Sequence, residues 1–120
     1  MIKRSFQPRT MITDLNYLKT MSGGDSNFIQ EMIGLFREQI EEYKQHMPEL
    51  LRKKDYNNLS KMAHKAKSSV AVMGMNEMAE LLKELEILAL EEKEVDRYES
   101  IVNEFLEQCQ LAVKELENKK

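Results

Sequence analysis

Apolar residues recur along most of this chain at steps of three and four positions, which is the spacing of one face of an α-helix. Such a stripe runs through residues 28–51, 59–73, 78–89 and 98–116, and no segment alternates apolar and polar residues as a strand does. The pattern therefore predicts four long helices and no β-sheet. The inward face of the third helix is predicted to consist of Leu59, Ala63, Ala66, Val70 and Met73.

A shorter helix is predicted before the long ones. It runs from Asp14 to Met21, with Leu15 and Leu18 on the same side as Met21, and Thr13 or Asp14 is its expected N-cap. The Ser-Gly-Gly sequence that follows ends this helix, because glycine readily forms the left-handed C-terminal turn.

Polar residues and one glycine mark the boundaries of the longer helices. Asp25 or Ser26 is the expected N-cap of the second helix, Asp55 that of the third, and Asn76 that of the fourth. Gly74 is expected to end the third helix.

Pro48 lies inside the apolar stripe of the second helix without changing its phase. Because proline lacks an amide hydrogen and crowds the preceding turn, we expect a kink or a break just before it. Short connections between helices of similar length favour antiparallel neighbours. The predicted fold is all-α: an antiparallel four-helix bundle over 13–118 with the short N-terminal helix packed across one end. Residues 1–12 form a loose lead-in, and 1–120 is predicted to be a single domain.

Composition narrows the functional classes. The net charge of −3 is spread along the chain, with no basic stripe of the kind that binds nucleic acid. No apolar run approaches the roughly 20 residues of a membrane span, and the N-terminus lacks the apolar core of a signal peptide. The lone Cys109 suits a reducing compartment. We therefore expect a cytoplasmic protein, monomeric, with neither nucleic-acid nor membrane partners.

Two histidines are candidates for chemistry. His46 has no reactive side chains at neighbouring positions and is predicted to be a solvated surface residue. His64 lies off the apolar stripe and shares a helix face with Lys67, Ser68 and Ala71. A neutral imidazole is a nucleophile at cytoplasmic pH, and a lysine one turn away can offset the charge of a phosphoryl group. Spacing alone leaves open that His64 is a plain surface histidine.

The residues around His64 extend to a longer pattern. His64 is followed by a lysine three residues later, a cluster of small residues, a glycine ten residues later at Gly74, and the leucine-rich segment 81–86 that ends in Leu-Glu. This pattern resembles the signature of histidine-containing phosphotransfer (HPt) domains. Gly23-Gly24-Asp25, Phe28-Ile29 and Phe36 also resemble the opening helices of that family, so the resemblance covers roughly residues 14–117.

The resemblance implies a role for each matching position. His64 would carry the phosphoryl group, and Lys67 would steady it. Ser69 and Glu86 would be hydrogen-bond partners of the imidazole, although Glu86 also fits an ordinary solvated position on its helix. Gly74 would keep the path of the partner clear. In one departure, Ser68 occupies the position where the family commonly has glycine, which can affect how tightly a partner docks.

The resemblance also implies the reaction and the partners. The chain would accept a phosphoryl group on His64 from a receiver-domain aspartate and pass it to another receiver domain, in two-component signalling of the bacterial type. It would need no cofactor of its own and have no autonomous kinase activity, with Mg²⁺ held by the partner. The expected docking surface comprises Lys65, Lys67, Ser68, Ala71, Gly74 and Met75, with Leu18, Met21 and Met32 as exposed apolar contributors.

The sequence argues against two other classes of helical protein and leaves a third open. Histidine-kinase dimerisation helices typically have an acid directly after the histidine and a proline soon after it, whereas here Lys65 follows and no proline lies between 49 and 120. A di-metal bundle requires Glu-x-x-His pairs, but Lys61 and Tyr43 stand three residues before the two histidines. A helical module that binds receivers and has lost transfer remains an alternative, because such a protein can retain every residue of the pattern.

Overall fold

A computed structural model describes residues 12–118, and these residues form five α-helices and no strand. The all-α prediction is confirmed. The predicted lead-in lies, except for its last residue, outside the described residues. The helices are α1 (Asn16–Ser22), α2 (Ser26–Arg52), α3 (Tyr56–Val72), α4 (Asn76–Glu91) and α5 (Tyr98–Asn118), with a single 3₁₀ turn, Val95–Arg97, before α5.

The four long helices form a closed ring in which α2 and α4 each contact both α3 and α5. Along the α2–α5 seam, Arg37 pairs with Glu117, whereas Tyr43 packs against Phe105. Because higher residue numbers on α2 meet lower numbers on α5, these two helices run in opposite directions. The other neighbouring helices in the ring follow one another along the chain through short connections, so they are antiparallel as well.

The inward face of α3 matches its prediction, since Leu59, Ala63, Ala66 and Val70 are completely buried and Met73 is 1% exposed. Full burial of a leucine side chain such as Leu59 contributes about 1.5–3 kcal/mol. With this face committed to the core, helical periodicity directs the residues between these positions toward solvent or toward the neighbouring helices.

Among the long helices, the predicted N-caps were right for α2 and α3 and wrong for α4. The Asp25 carboxylate accepts hydrogen bonds from the second and third following amides at the start of α2, and Asp55 accepts from the Asn58 amide at the start of α3. Asn76, in contrast, is the first residue of α4, and the N-cap position belongs to Met75, which has no side-chain capping bond. Met75 is 3% exposed, so packing into the core fixes the start of α4.

The break considered at Pro48 does not occur, because α2 continues through it to Arg52. Pro48 and Lys44, whose carbonyl loses its helical partner, both lie on the exposed side of α2, where water can satisfy that carbonyl. The neighbouring Met47 is completely buried and keeps the apolar stripe in phase.

The segment before α1 is attached to the far ends of two other helices. The Thr13 amide and hydroxyl both donate to the Glu115 carboxylate on α5, and the Asp14 amide donates to the Met73 carbonyl at 2.8 Å. Neither Thr13 nor Asp14 occupies the predicted N-cap position, which belongs to Leu15, because Thr13 bonds to α5 and α1 begins at Asn16. The Asp14 carboxylate nevertheless accepts a hydrogen bond from the Asn16 amide at 2.9 Å. The bonds to Glu115 and Met73 hold the N-terminal segment at the end of the bundle where α3 meets α4.

Candidate functional site

His64 projects from the middle of α3, and 61% of its side chain is accessible to solvent. The preceding Ala63 and the nearby Ala66 are both completely buried. This outward direction is the one that the helical phase predicted. His46, on α2, is also exposed, as expected.

One nitrogen of the His64 ring is held by α4. Nδ1 lies 2.9 Å from Oε2 of Glu86, whose side chain is 25% exposed. An ionised carboxylate can only accept a hydrogen bond, so in the neutral ring Nδ1 carries the hydrogen and donates it. Nε2 is then left with its lone pair, and the contact fixes both the tautomer and the orientation of the ring.

The same carboxylate also binds Lys67. Its Nζ lies 3.3 Å from Oε1 of Glu86, so one carboxylate bridges the imidazole and an ammonium group. The Lys67 side chain is 28% exposed, which leaves it partly accessible beside the ring. The resemblance predicted that both side chains lie near His64, but it did not predict the ion pair between them.

A buried serine sets the position of Glu86 relative to α3. Ser60, one turn before His64 and 4% exposed, donates from its hydroxyl to the main-chain carbonyl of Glu86 at 2.8 Å. This bond fixes the register of the two helices at the level of the site. The sequence contained a signal for it, because Ser60 is a polar residue directly beside the apolar stripe position Leu59.

The prediction that Ser69 bonds the imidazole was wrong. Its hydroxyl lies 2.7 Å from the Tyr43 hydroxyl and 2.7 Å from Oε1 of Gln39, both on α2. At 3.6 residues per turn, a residue five positions after His64 is rotated by about 140° around the helix. Ser69 therefore faces α2, on the side of α3 away from Glu86.

A groove between α2 and α3 opens beside His64, with a volume of about 370 Å³. Leu35 on its edge is 45% exposed. Leu35 was not among the predicted docking residues, although an apolar residue out of phase with the stripe of its helix is a signal of exposed apolar surface. The groove is lined by Met32, Leu35, Phe36, Gln39, His64, Lys65, Ser68, Ser69, Val72 and Met73.

The structure exposes three of the polar or small residues assigned to docking. Lys65, Ser68 and Ala71 are all on the solvent side of α3. The Lys65 ammonium donates to the Glu42 carboxylate on α2 at 3.0 Å, and this hydrogen bond raises the pKa of Lys65. Ser68, which replaces the usual glycine, lines the groove without closing it.

Other docking assignments require correction. Met75 is 3% exposed and Leu18 is completely buried, so neither contributes to a surface, because the α3–α4 turn and α1 both pack onto the core. Gly74 has its Cα against the backbone of Asp14, so its lack of a side chain serves internal packing instead of partner access. Met21 is 52% exposed, as expected, and Met32 is partly buried.

Metal-binding clusters and membrane-spanning helices do not occur within the described range. Between residues 12 and 118, no group of three or more His, Cys, Asp or Glu side chains is arranged to hold a metal ion. No helix in that same part of the chain combines the length and the apolar character required to cross a membrane.

Comparison with known protein families gives a match to the Hpt domain model over residues 31–119. The matched region contains His64, Lys67 and Glu86 and extends from the second turn of α2 through α5. Searches of curated proteins and of solved structures gave no match. Since the matched region covers most of the chain, this protein belongs to the Hpt domain family, whose members carry out phosphotransfer in two-component signalling.

Proposed function

We propose that this Hpt domain is a cytoplasmic phosphorelay intermediate that takes a phosphoryl group from the aspartate of one receiver domain and passes it to the aspartate of another. The observation that carries the proposal is the environment of His64. Its ring is exposed, Nδ1 is bonded to Glu86 at 2.9 Å, and Nε2 is left as the nucleophile.

In the forward step, the Nε2 lone pair attacks the phosphorus of the receiver's aspartyl phosphate. The bond between phosphorus and the aspartate oxygen breaks, and its electron pair remains on the aspartate carboxylate. The imidazole acquires positive charge as the N–P bond forms, and the Glu86 carboxylate on Nδ1 stabilises that charge. The second transfer is the reverse reaction with a different receiver, so the relay requires no ATP.

Lys67 is placed to respond to the phosphoryl group. In the structure it pairs with Glu86, one turn from His64. A phosphoryl group on Nε2 brings negative charge to the same exposed surface, and a charge-assisted hydrogen bond to it is stronger than a neutral one. Lys67 would then exchange its contact with Glu86 for one with the phosphoryl oxygens.

The receiver would supply the remaining parts of the reaction centre, including Mg²⁺ and the phosphorylated aspartate. The groove beside His64 gives it an apolar docking surface, with the exposed edge formed by Leu35. Lys65 and Ser68 lie at the mouth of the groove next to the reacting ring. An apolar surface with small and flexible side chains can accept more than one receiver, as an intermediate in a relay requires.

The test is transfer of radiolabelled phosphoryl groups from a panel of phosphorylated receiver domains. We expect label on the wild type and on the His46→Gln variant, and none on His64→Gln. His46 is an exposed histidine of α2, so its variant controls for the substitution itself. Label on His64→Gln would contradict the assignment of the acceptor. A wild type that binds receivers but takes label from none of them would support the transfer-inactive module instead.

A further inference from the structure

A chain of hydrogen bonds leads from the protein core to the groove beside His64. The Tyr43 hydroxyl lies 2.7 Å from Ser69 Oγ, which in turn lies 2.7 Å from Oε1 of Gln39. Tyr43 is completely buried, and its ring packs at 5.7 Å from that of Phe105. The inner end of the chain is therefore fixed by core packing.

The direction of these bonds follows from which atoms carry a hydrogen. Oε1 of Gln39 is an amide oxygen and can only accept, so Ser69 donates its one hydroxyl hydrogen across the 2.7 Å contact in preference to the Lys65 carbonyl at 3.3 Å. With that hydrogen used, Tyr43 must be the donor in its own 2.7 Å contact with Ser69. Burial raises the pKa of Tyr43, which keeps its hydroxyl protonated as this role requires.

The consequence for Gln39 is a fixed amide orientation. With Oε1 engaged by Ser69, the amide nitrogen is on the opposite side of the group. Across residues 12–118, Nε2 of Gln39 has no hydrogen-bond partner, and it is not among the buried polar atoms that lack one, so it is accessible. Gln39 is half-buried and lines the same groove as His64.

We infer that Tyr43, acting through Ser69, positions the Gln39 amide to donate a hydrogen bond to an oxygen atom of the docked receiver domain. This inference rests on the proposed function and adds to it a contact by which the domain distinguishes one receiver from another. Because apolar Met32 and Leu35 flank the position, docking removes water from the amide. A receiver with an acceptor at this point gains a hydrogen bond, and one without leaves a desolvated donor unpaired. Tyr43 is thus a positioning residue that never touches the partner.

The test compares Gln39→Met with Gln45→Met. Gln45 is an exposed residue of the same helix and provides a matched control. Transfer from a phosphorylated receiver is measured over a range of receiver concentrations, to separate KM from kcat. We expect Gln39→Met to raise KM about three- to tenfold with kcat nearly unchanged, which corresponds to one docking hydrogen bond, and Gln45→Met to leave both unchanged.

The role of Tyr43 is tested by a double-mutant cycle. Tyr43→Phe removes only the hydroxyl, and we expect it to raise KM about two- to fivefold in the wild type but to have no further effect in Gln39→Met. Ser69→Ala should behave in the same way and serves as the second variant if Tyr43→Phe loses its helical circular dichroism. A general loss of stability would affect both backgrounds equally.

Several outcomes would overturn the inference. Equal KM values for Gln39→Met and Gln45→Met would remove the docking role of the amide. A fall in kcat with constant KM would mean that the amide acts on the phosphoryl group. A Tyr43→Phe effect that persists in Gln39→Met would show that the hydroxyl acts by another route. If the wild type accepts label from no receiver, the proposed function fails. The docking role of Gln39 is then tested separately, by repeating the double-mutant cycle with dissociation constants for unphosphorylated receivers in place of KM.

Discussion

Gly74 connects α3 to α4 in a conformation and a packing environment that both exclude a side chain. Its φ angle is +76°, in the left-handed region, and its Cα faces the N-terminal segment. A β-carbon at this position would lie 2.6 Å from Cβ and 2.8 Å from the amide nitrogen of Asp14, and would also meet its carbonyl oxygen. Favourable separations between such atoms are about 3.5–4.0 Å, so Gly74→Ala must displace backbone.

The cost of Gly74→Ala has two parts. Placing a non-glycine residue in the left-handed conformation lowers the free energy of unfolding by about 1–2 kcal/mol. Forcing an extra methyl group into packed structure lowers it by about 1–3 kcal/mol more. Gly23 is a matched control, because its φ angle is +68° and nothing lies within 4 Å of the point that a β-carbon would occupy there. We expect Gly23→Ala to show only the conformational cost, and Gly74→Ala to lower the free energy of unfolding by about 1–3 kcal/mol more than Gly23→Ala does.

The measurement is equilibrium unfolding in urea, followed by far-ultraviolet circular dichroism, for the wild type and both variants. Comparing the two alanine variants cancels the lower unfolded-state entropy that alanine brings to each. Hydrogen exchange gives a second signal, since the Asp14 amide donates to the Met73 carbonyl and should lose protection in Gly74→Ala. Equal losses of stability in the two variants, with Asp14 still protected, would refute the packing argument.

Three further predictions concern the N-terminal attachment, the cysteine and a helix cap. Thr13→Val removes a hydroxyl that donates to the Glu115 carboxylate, and we expect it to lower the free energy of unfolding by about 1–3 kcal/mol in the same urea series; an unchanged midpoint would contradict this. Burial raises the pKa of Cys109 to about 12, so the folded protein should resist iodoacetamide at pH 8 while the urea-unfolded chain reacts; rapid labelling of the folded form would contradict it. Hydrogen bonds from the Asn58 side chain and amide lower the pKa of Asp55, so its stabilising effect is complete above the ordinary carboxyl pKa of about 3.9 and disappears as the pH falls through the lowered value. The difference in stability between the wild type and Asp55→Ala should therefore shrink with acidification, and a difference that is constant down to pH 2 would contradict the assignment.

The sequence predicted the helices well because helical periodicity is a local property. All the residues predicted for the inward face of α3 are buried, and the outward direction of His64 followed from their phase, although the burial of Ser60 was not predicted. The prediction for Ser69 failed, because the resemblance assigned it by position while its rotation around α3 turns it to α2. The prediction that Met75 lies on the docking surface also failed, since a residue in a turn has no helical phase from which burial can be predicted.

The sequence by itself determined an all-α chain, the segments that form its helices, and His64 as the candidate phosphoryl acceptor with Lys67 one turn away. The tertiary structure decided which nitrogen of that histidine is available, because the Glu86 carboxylate that binds Nδ1 comes from another helix. It also decided that Ser69 and Tyr43 connect the core to Gln39. These contacts join residues 19 to 30 positions apart, and they depend on the register between packed helices. Periodicity within one helix contains no information about that register.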